Sequence, residues 1–328
     1  MYDVLIIGAG PAGCATAIRC ADAGLSVAIV EASTFPRDLP GENLHPGIEV
    51  LLRQLGVFEQ VSSEPFLRHP GTHNSFGFQP FGSDENGPWL GWQVVRSRFD
   101  EILLNKAREC GVKIYQPFRA KYVTIEKETV VGIDSITSRY CIDASGGRHW
   151  LARQLHRNIT KYSQPLYARY GYTTGECSLI DEAPRIQADA NGWTWLAKIQ
   201  PSLYQWIRLN LTDDQTDTSL PPEFSGMQPH GKTKGADVTW RMADEPAGHG
   251  YFLVGDAAAV LDPASSHGVL HAIASGMLAA HLIVQVLRHN ADESLAAKYY
   301  CEWVSRRFHH DVERLRELYS VTPFPDRV

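Results

Sequence analysis

Three clusters in this chain combine residue types and spacing that could do chemistry. The first is Gly8-Ala9-Gly10-Pro11-Ala12-Gly13, which follows the apolar run 2–7 and opens a helical stretch reaching Ala23. Gly8 allows a tight turn, Gly10 lets the backbone approach a pyrophosphate, and Gly13 lets helix and strand pack closely. A second strand, 26–30, ends in Glu31, where a carboxylate would hold the ribose hydroxyls of an adenosine. The second cluster follows the short apolar run 251–254, which stops at Gly255-Asp256. Ligands of open α/β sheets bind at such strand ends. A turn holding Pro263, Ser266, His267 and Gly268 then launches an apolar helix from Val269 to about residue 288. Its unpaired N–H groups and dipole favour negative charge, as on the N1/C2 edge of a reduced flavin. The plain alternative is a capped strand-loop-helix unit. The third cluster, 140–153, repeats the theme, with an apolar strand that ends in Asp143 and glycines.

These residues need a parallel sheet to bring the strand ends together, and the chain supplies it. At 328 residues it can hold about two domains and a full core. The net charge of -6 gives no reason to expect nucleic acid as a partner. No apolar run reads as a membrane span, and the strand that follows Met1 at once argues against export, so a cytoplasmic protein is expected. Six scattered cysteines read as reduced thiols, and no metal site is expected.

Between these clusters the pattern changes twice. Residues 66–95 turn to short, Gly-rich and aromatic segments that read as strands of a second layer, and 159–245 alternate aromatic and polar positions, as in an antiparallel sheet with one wet or ligand-facing side. Six of the eight tryptophans lie there, so the sheet is either an aromatic core or a substrate pocket built from Trp193, Trp195 and Trp206 with His45. Residues 212–237 read as a long polar loop, a lid or a docking surface. A C-terminal helix over 293–319 places Leu295, Tyr299, Trp303, Phe308, Leu315 and Tyr319 near one face.

Pro36-Arg37 followed by Gly41-Glu42-Asn43-Leu44-His45-Pro46 resembles the loop that touches the flavin in flavin-dependent halogenases and related monooxygenases. Arg96 in RSRFD, the Asp143 segment and GDAAAVLDPASSHG extend the likeness over most of an FAD-binding half. The group comprises aromatic hydroxylases, geranylgeranyl reductases and tryptophan halogenases. The resemblance implies a Rossmann-like α/β FAD-binding domain of the GR2, p-hydroxybenzoate hydroxylase-like class (1–65, 96–158 and 246–328). A smaller antiparallel-sheet domain for substrate or partner (66–95 and 159–245) would accompany it. It further implies that Gly8, Gly10, Pro11, Ala12, Gly13, Glu31, Arg37, Glu42, Asn43, Leu44, Arg96, Asp143, Gly255, Asp256, Pro263, Ser266, Gly268 and Val269 contact FAD.

The halogenase WxWxIP motif begins as Trp193-Thr194-Trp195-Leu196 but continues Ala197-Lys198, and no segment matches the one carrying the halogenases' catalytic lysine. Halogenation is therefore disfavoured. The chain also resembles the LodB- and GoxB-type flavoproteins that mature cysteine-tryptophylquinone oxidases. That likeness implies an FAD monooxygenase that hydroxylates a tryptophan of an oxidase precursor, with O2 and a transient reductant, either NAD(P)H or a reductase. Gly268 would mark the charge-stabilising helix start, and His267 either transfers protons or caps the turn. A flavin-bearing chaperone and a hydroxylase or reductase of a small aromatic or isoprenoid metabolite are the alternatives.

Overall fold

The computed structural model describes residues 1–37, 39–211 and 220–320. Its central sheet carries five parallel strands in the order Lys113–Tyr115, Val27–Val30, Tyr2–Ile7, Ile136–Asp143 and Tyr251–Leu253. Val27–Val30, Val4–Ile7, Tyr140–Asp143 and Tyr251–Leu253 are buried without alternation, because both faces of the sheet are covered there and no wet side demands it. Ile7 lies opposite Asp143, and Asp143 opposite Leu253, so the ends of three strands align. The hairpin of Val123–Glu126 and Thr129–Ile133 joins the sheet antiparallel through Ile136–Asp143. This is the expected α/β Rossmann-like architecture.

Two helices hold the fingerprint turn in place. Pro11–Asp22 starts on a proline at its first position, where the missing N–H removes no helical bond. Gly268–His289 crosses it so closely that a Cβ on Gly276 would stand 2.4 Å from the Ala12 carbonyl oxygen. By length and composition this second helix could cross a membrane, with a mean hydropathy of 1.7, which corrects the reading that no apolar run is long enough. Ile273, Ala279, Ala280 and Ile283 are instead buried in the core.

The two aromatic stretches meet in one seven-stranded sheet. Its order is Gln228–Asp237, Tyr167–Thr174, Leu203–Asn210, Gly192–Gln200, Arg185–Asp189, Gly71–Asn74 and Gly77–Pro80. All neighbours are antiparallel except Arg185–Asp189 and Gly71–Asn74. Alternation sends Trp193, Trp195, Ala197 and Leu209 into the main core. Leu196, Tyr204 and Trp206 face the other way, into a smaller cluster with Cys177, Ile180, Phe224 and Met227. The far face is thus partly covered by apolar packing rather than wholly wet.

Two further expectations change. Of the polar stretch 212–237, residues 212–219 lie outside the described residues, while Gln228–Asp237 is a ten-residue strand at the edge of the sheet. The C-terminal helix Glu293–Ser320 buries Tyr300, Val304, Phe308, Val312, Leu315 and Tyr319, whereas Leu295 and Tyr299 are exposed. Tyr300 wins over Tyr299 because its hydroxyl reaches the Leu253 carbonyl at 2.7 Å, which lets a polar tip be buried.

Candidate active site

At the fingerprint only glycine fits. Gly8 has φ +101°, and a Cβ there would lie 2.4 Å from the Ala144 carbonyl oxygen. A Cβ on Gly13 would lie 2.0 Å from the Gly8 oxygen. Gly10 is different: its missing Cβ leaves space beneath the Arg37 Nη2, 3.3 Å away. Glu31, 4% exposed, accepts N–H bonds from Ala9 at 2.8 Å and Ser33 at 2.7 Å and pairs with Arg37 Nη1 at 3.1 Å. Among the described residues, two polar atoms here are buried without a hydrogen-bond partner, Arg37 Nε and Ser145 Oγ. The backbone of Ser145 adjoins Gly8. Unpaired buried donors beside a glycine turn and a ribose-type carboxylate fit the acceptor-rich diphosphate of a dinucleotide.

Arg96 opens the helix Arg96–Glu109 and is fixed by Asp100 through bonds of 3.0 and 3.1 Å and by the Pro40 carbonyl at 2.6 Å. The Asp100 carboxylate holds this guanidinium charged, above its ordinary range despite the cost of burial. Gly41, at φ +102°, is pressed between Arg96 and Val269, so the 39–46 loop meets the start of the long helix. Gly255 packs the other side of that helix start, against Ala12 and Ala272. Between them Asp256 is exposed and makes no hydrogen bond or ion pair among the described residues. Crowding by protein raises its carboxyl above the ordinary value, and the charges of Arg96 and Arg241 pull it back.

Four predicted ligand contacts are used by the protein itself. Asp143, fully buried, accepts N–H bonds from Ser145 at 2.9 Å and Leu151 at 2.7 Å, so it shapes its own loop. The Glu42 carboxylate turns into the aromatic sheet, where it accepts from Tyr172, Gln205 and the Gly41 N–H. Burial raises its carboxyl. Asn43 binds His69 at 2.8 Å and Gln93 at 3.1 Å, and Leu44 is buried in the core. What the 41–44 loop still offers a cofactor is backbone.

The long helix begins at Gly268 with His267 at its N-cap, and Pro263–Ser265 forms a single turn just before, closed by Ser266 at φ 54°. His45 and His267 rings lie 5.0 Å apart, and His267 stacks on His271 at 5.5 Å. Burial holds all three imidazoles below the ordinary histidine value, His271 down to about 3. The neutral form of each ring is thereby favoured.

The tryptophan pocket is redistributed. Trp193 Nε1 donates to the Tyr319 hydroxyl at 2.7 Å, and Tyr319 donates to the buried carboxylate of Asp262, which also caps Ala264 N at 2.7 Å. Trp206 faces the opposite side, across Gly171. Only Trp193 and Trp195 share the face turned toward the loop, and alternation places Tyr170 and Tyr172 there with them. Sequence reading missed Tyr172, Gln205, Arg241 and His149. The YARYGYTT alternation could have flagged Tyr172. His149 and Arg241 carried no signal: His149 binds the Ala257 oxygen at 2.8 Å and receives Arg241 Nε at 3.0 Å, tying together loops 108 residues apart.

The dinucleotide turn is that of an FAD-binding domain, whose family model matches residues 3–37. FAD is its cofactor. The tryptophan halogenase family model matches residues 82–326, and the chain belongs to that family. It is 32% identical to the 1H-pyrrole-2-carbonyl-(peptidyl-carrier protein) brominase of Pseudoalteromonas luteoviolacea, over 88% of this chain and 79% of the relative. It is 28% identical to a flavin-dependent halogenase of Armillaria mellea, over 91% and 68% of the two chains. Among solved structures, flavin-dependent brominase Bmp2 superposes with a TM-score of 0.82 at 27% identity, over 93% of this chain and 83% of that one. The family is one of FAD- and O2-using oxidoreductases. Its assignment corrects the weight placed on the missing Ile-Pro and lysine: those departures do not set the chain outside the halogenases.

Proposed function

We propose that this protein oxidises an electron-rich aromatic ring with reduced FAD and O2, and that the ring is an indole presented by a partner protein, an oxidase precursor. Bound reduced FAD supplies, with O2, the electrophile. Glu31 and Arg37 hold the adenosine and diphosphate, Asp256 holds a hydroxyl of the ribityl chain, and the helix start at Gly268 stabilises negative charge at the ring. Trp195 and Tyr170 form an aromatic wall, and His267 accepts the proton that the indole loses.

The observation that carries oxygen over halogen as the transferred atom is the placement of the nine lysines. Seven are exposed, and the half-buried Lys106 and Lys198 are paired with Glu109 and Asp181. None lies in the 39–46 loop or the 262–268 turn, where His45 and His267 stand; on the sheet the exposed Lys234 pairs with Tyr170. Family membership favours the second reading, halogenation of the same ring.

The test is the intact mass of the partner oxidase, produced with this protein or with Gly10→Trp, with a flavin reductase, O2 and bromide present. Gain of oxygen on a tryptophan with the unaltered protein alone is expected. Gain of bromine establishes the second reading. Equal maturation with both variants overturns any role for the flavin in modifying the partner.

A further inference from the structure

The C-terminal helix supplies charged side chains to the histidine row. Arg307 donates to His271 Nε2 through Nη2 at 2.7 Å and Nε at 3.2 Å. That bond places the ring proton on Nδ1, which faces Asp311 Oδ2 at 3.3 Å, close enough to pair although not aligned as a full hydrogen bond. His271 is therefore locked in one tautomer and one orientation by two residues a single helical turn apart. Its flat face supports His267, with the two rings 5.5 Å apart and 13° from parallel. His45, beyond it, is anchored by the Gly47 N–H at 3.0 Å and by contact with Phe81 at 5.3 Å.

From this geometry we infer that Arg307, His271 and Asp311 form a positioning triad: it fixes the His267 ring at the helix start and sets its proton affinity from the C-terminal helix. This rests on the reading of His267 as the proton acceptor. The groups that face His267 are His45 from the 39–46 loop, His271 from its own helix, Arg307 and Arg314 from the C-terminal helix, and the Ser265 carbonyl. Both arginines disfavour the imidazolium, the carbonyl favours it, and burial is the largest influence. Among the described residues no group of three or more His, Cys, Asp or Glu is placed to hold a metal, and the Arg307 donor occupies the nitrogen a metal would need.

The experiment uses the FAD-loaded protein and follows the imidazole NMR signals of His267 and His271 with pH, in the unaltered protein, Arg307→Leu, Arg307→Lys and the control Arg306→Leu. Arg306 is an exposed neighbour on the same helix, so it matches the loss of charge without the contact. Both histidines should titrate below 6.5 in the unaltered protein. Arg307→Leu should raise His271 by about one unit, a tenfold gain in proton affinity, and His267 by less. Arg307→Lys should restore most of the shift, and Arg306→Leu should leave it unchanged. The acid limb of the pH–rate profile should move to higher pH in Arg307→Leu. An ordinary His267 value in the unaltered protein, or equal effects of the two leucine variants, overturns the triad. NMR shifts without movement of the acid limb leave the triad standing and overturn His267 as the proton acceptor.

Discussion

Asp143 and Asp256 follow neighbouring parallel strands of one sheet, and each is followed by small residues, yet their carboxylates meet opposite fates. Behind Asp143 the chain turns at once into a short helix, Trp150–Gln154, and two backbone N–H groups close on the carboxylate. Behind Asp256 the chain runs outward to Ala259–Val260 and on to the turn before the long helix, so no N–H returns to it. The same local pattern thus yields one carboxylate that shapes its own loop and one that is left exposed. The difference is made by where the next helix starts.

Substitutions can break or sharpen that contrast. The largest effect belongs to the floor shared by both turns: Gly8→Val forces a side chain into the Ala144 carbonyl at a positive φ and should abolish FAD retention, read as flavin absorbance after gel filtration. Asp143→Ala strands two buried N–H groups and should cost about 2–5 kcal/mol in denaturant unfolding. Asp256→Ala should leave that stability within about 0.5 kcal/mol, like other open sites, and weaken FAD binding by roughly ten- to a hundredfold in fluorescence titration, the range of a hydrogen bond to a charged group. Exchange of these two outcomes would reverse the assignment of roles.

A third carboxylate sharpens the comparison through pH. Burial raises the Asp262 carboxyl to about 6 from its ordinary 3.8, against the bonds from Tyr319 and Ala264. Its contribution is fully present below about pH 4 and is lost as pH rises through 6, which amounts to about 2–3 kcal/mol across that window. Asp262→Asn should remove this component of the pH dependence, seen in urea unfolding at pH 4 and pH 7. The smallest effect is expected at Lys198→Ala, which breaks a partly exposed ion pair with Asp181 and should change stability by less than about 1 kcal/mol. A loss of turnover there would reopen the lysine-based reading.

The sequence by itself determined the FAD fingerprint and the sheet class. Gly8, Gly13, Glu31 and the aliphatic strands act within one local unit, and a strand-turn-helix has few ways to close. The open Asp256 and the helix start at Gly268 were legible for the same reason. Tertiary structure alone decided the rest. It turned Glu42 away into Tyr172 and Gln205, divided Trp193 from Trp206 across the sheet, and buried Tyr300 in place of Tyr299. It also brought Arg307 to His271 and Arg241 to His149 across distant parts of the chain. Each of these outcomes depends on which buried polar group finds a partner, and partners that come from remote segments leave no periodicity or spacing in the chain that could announce them.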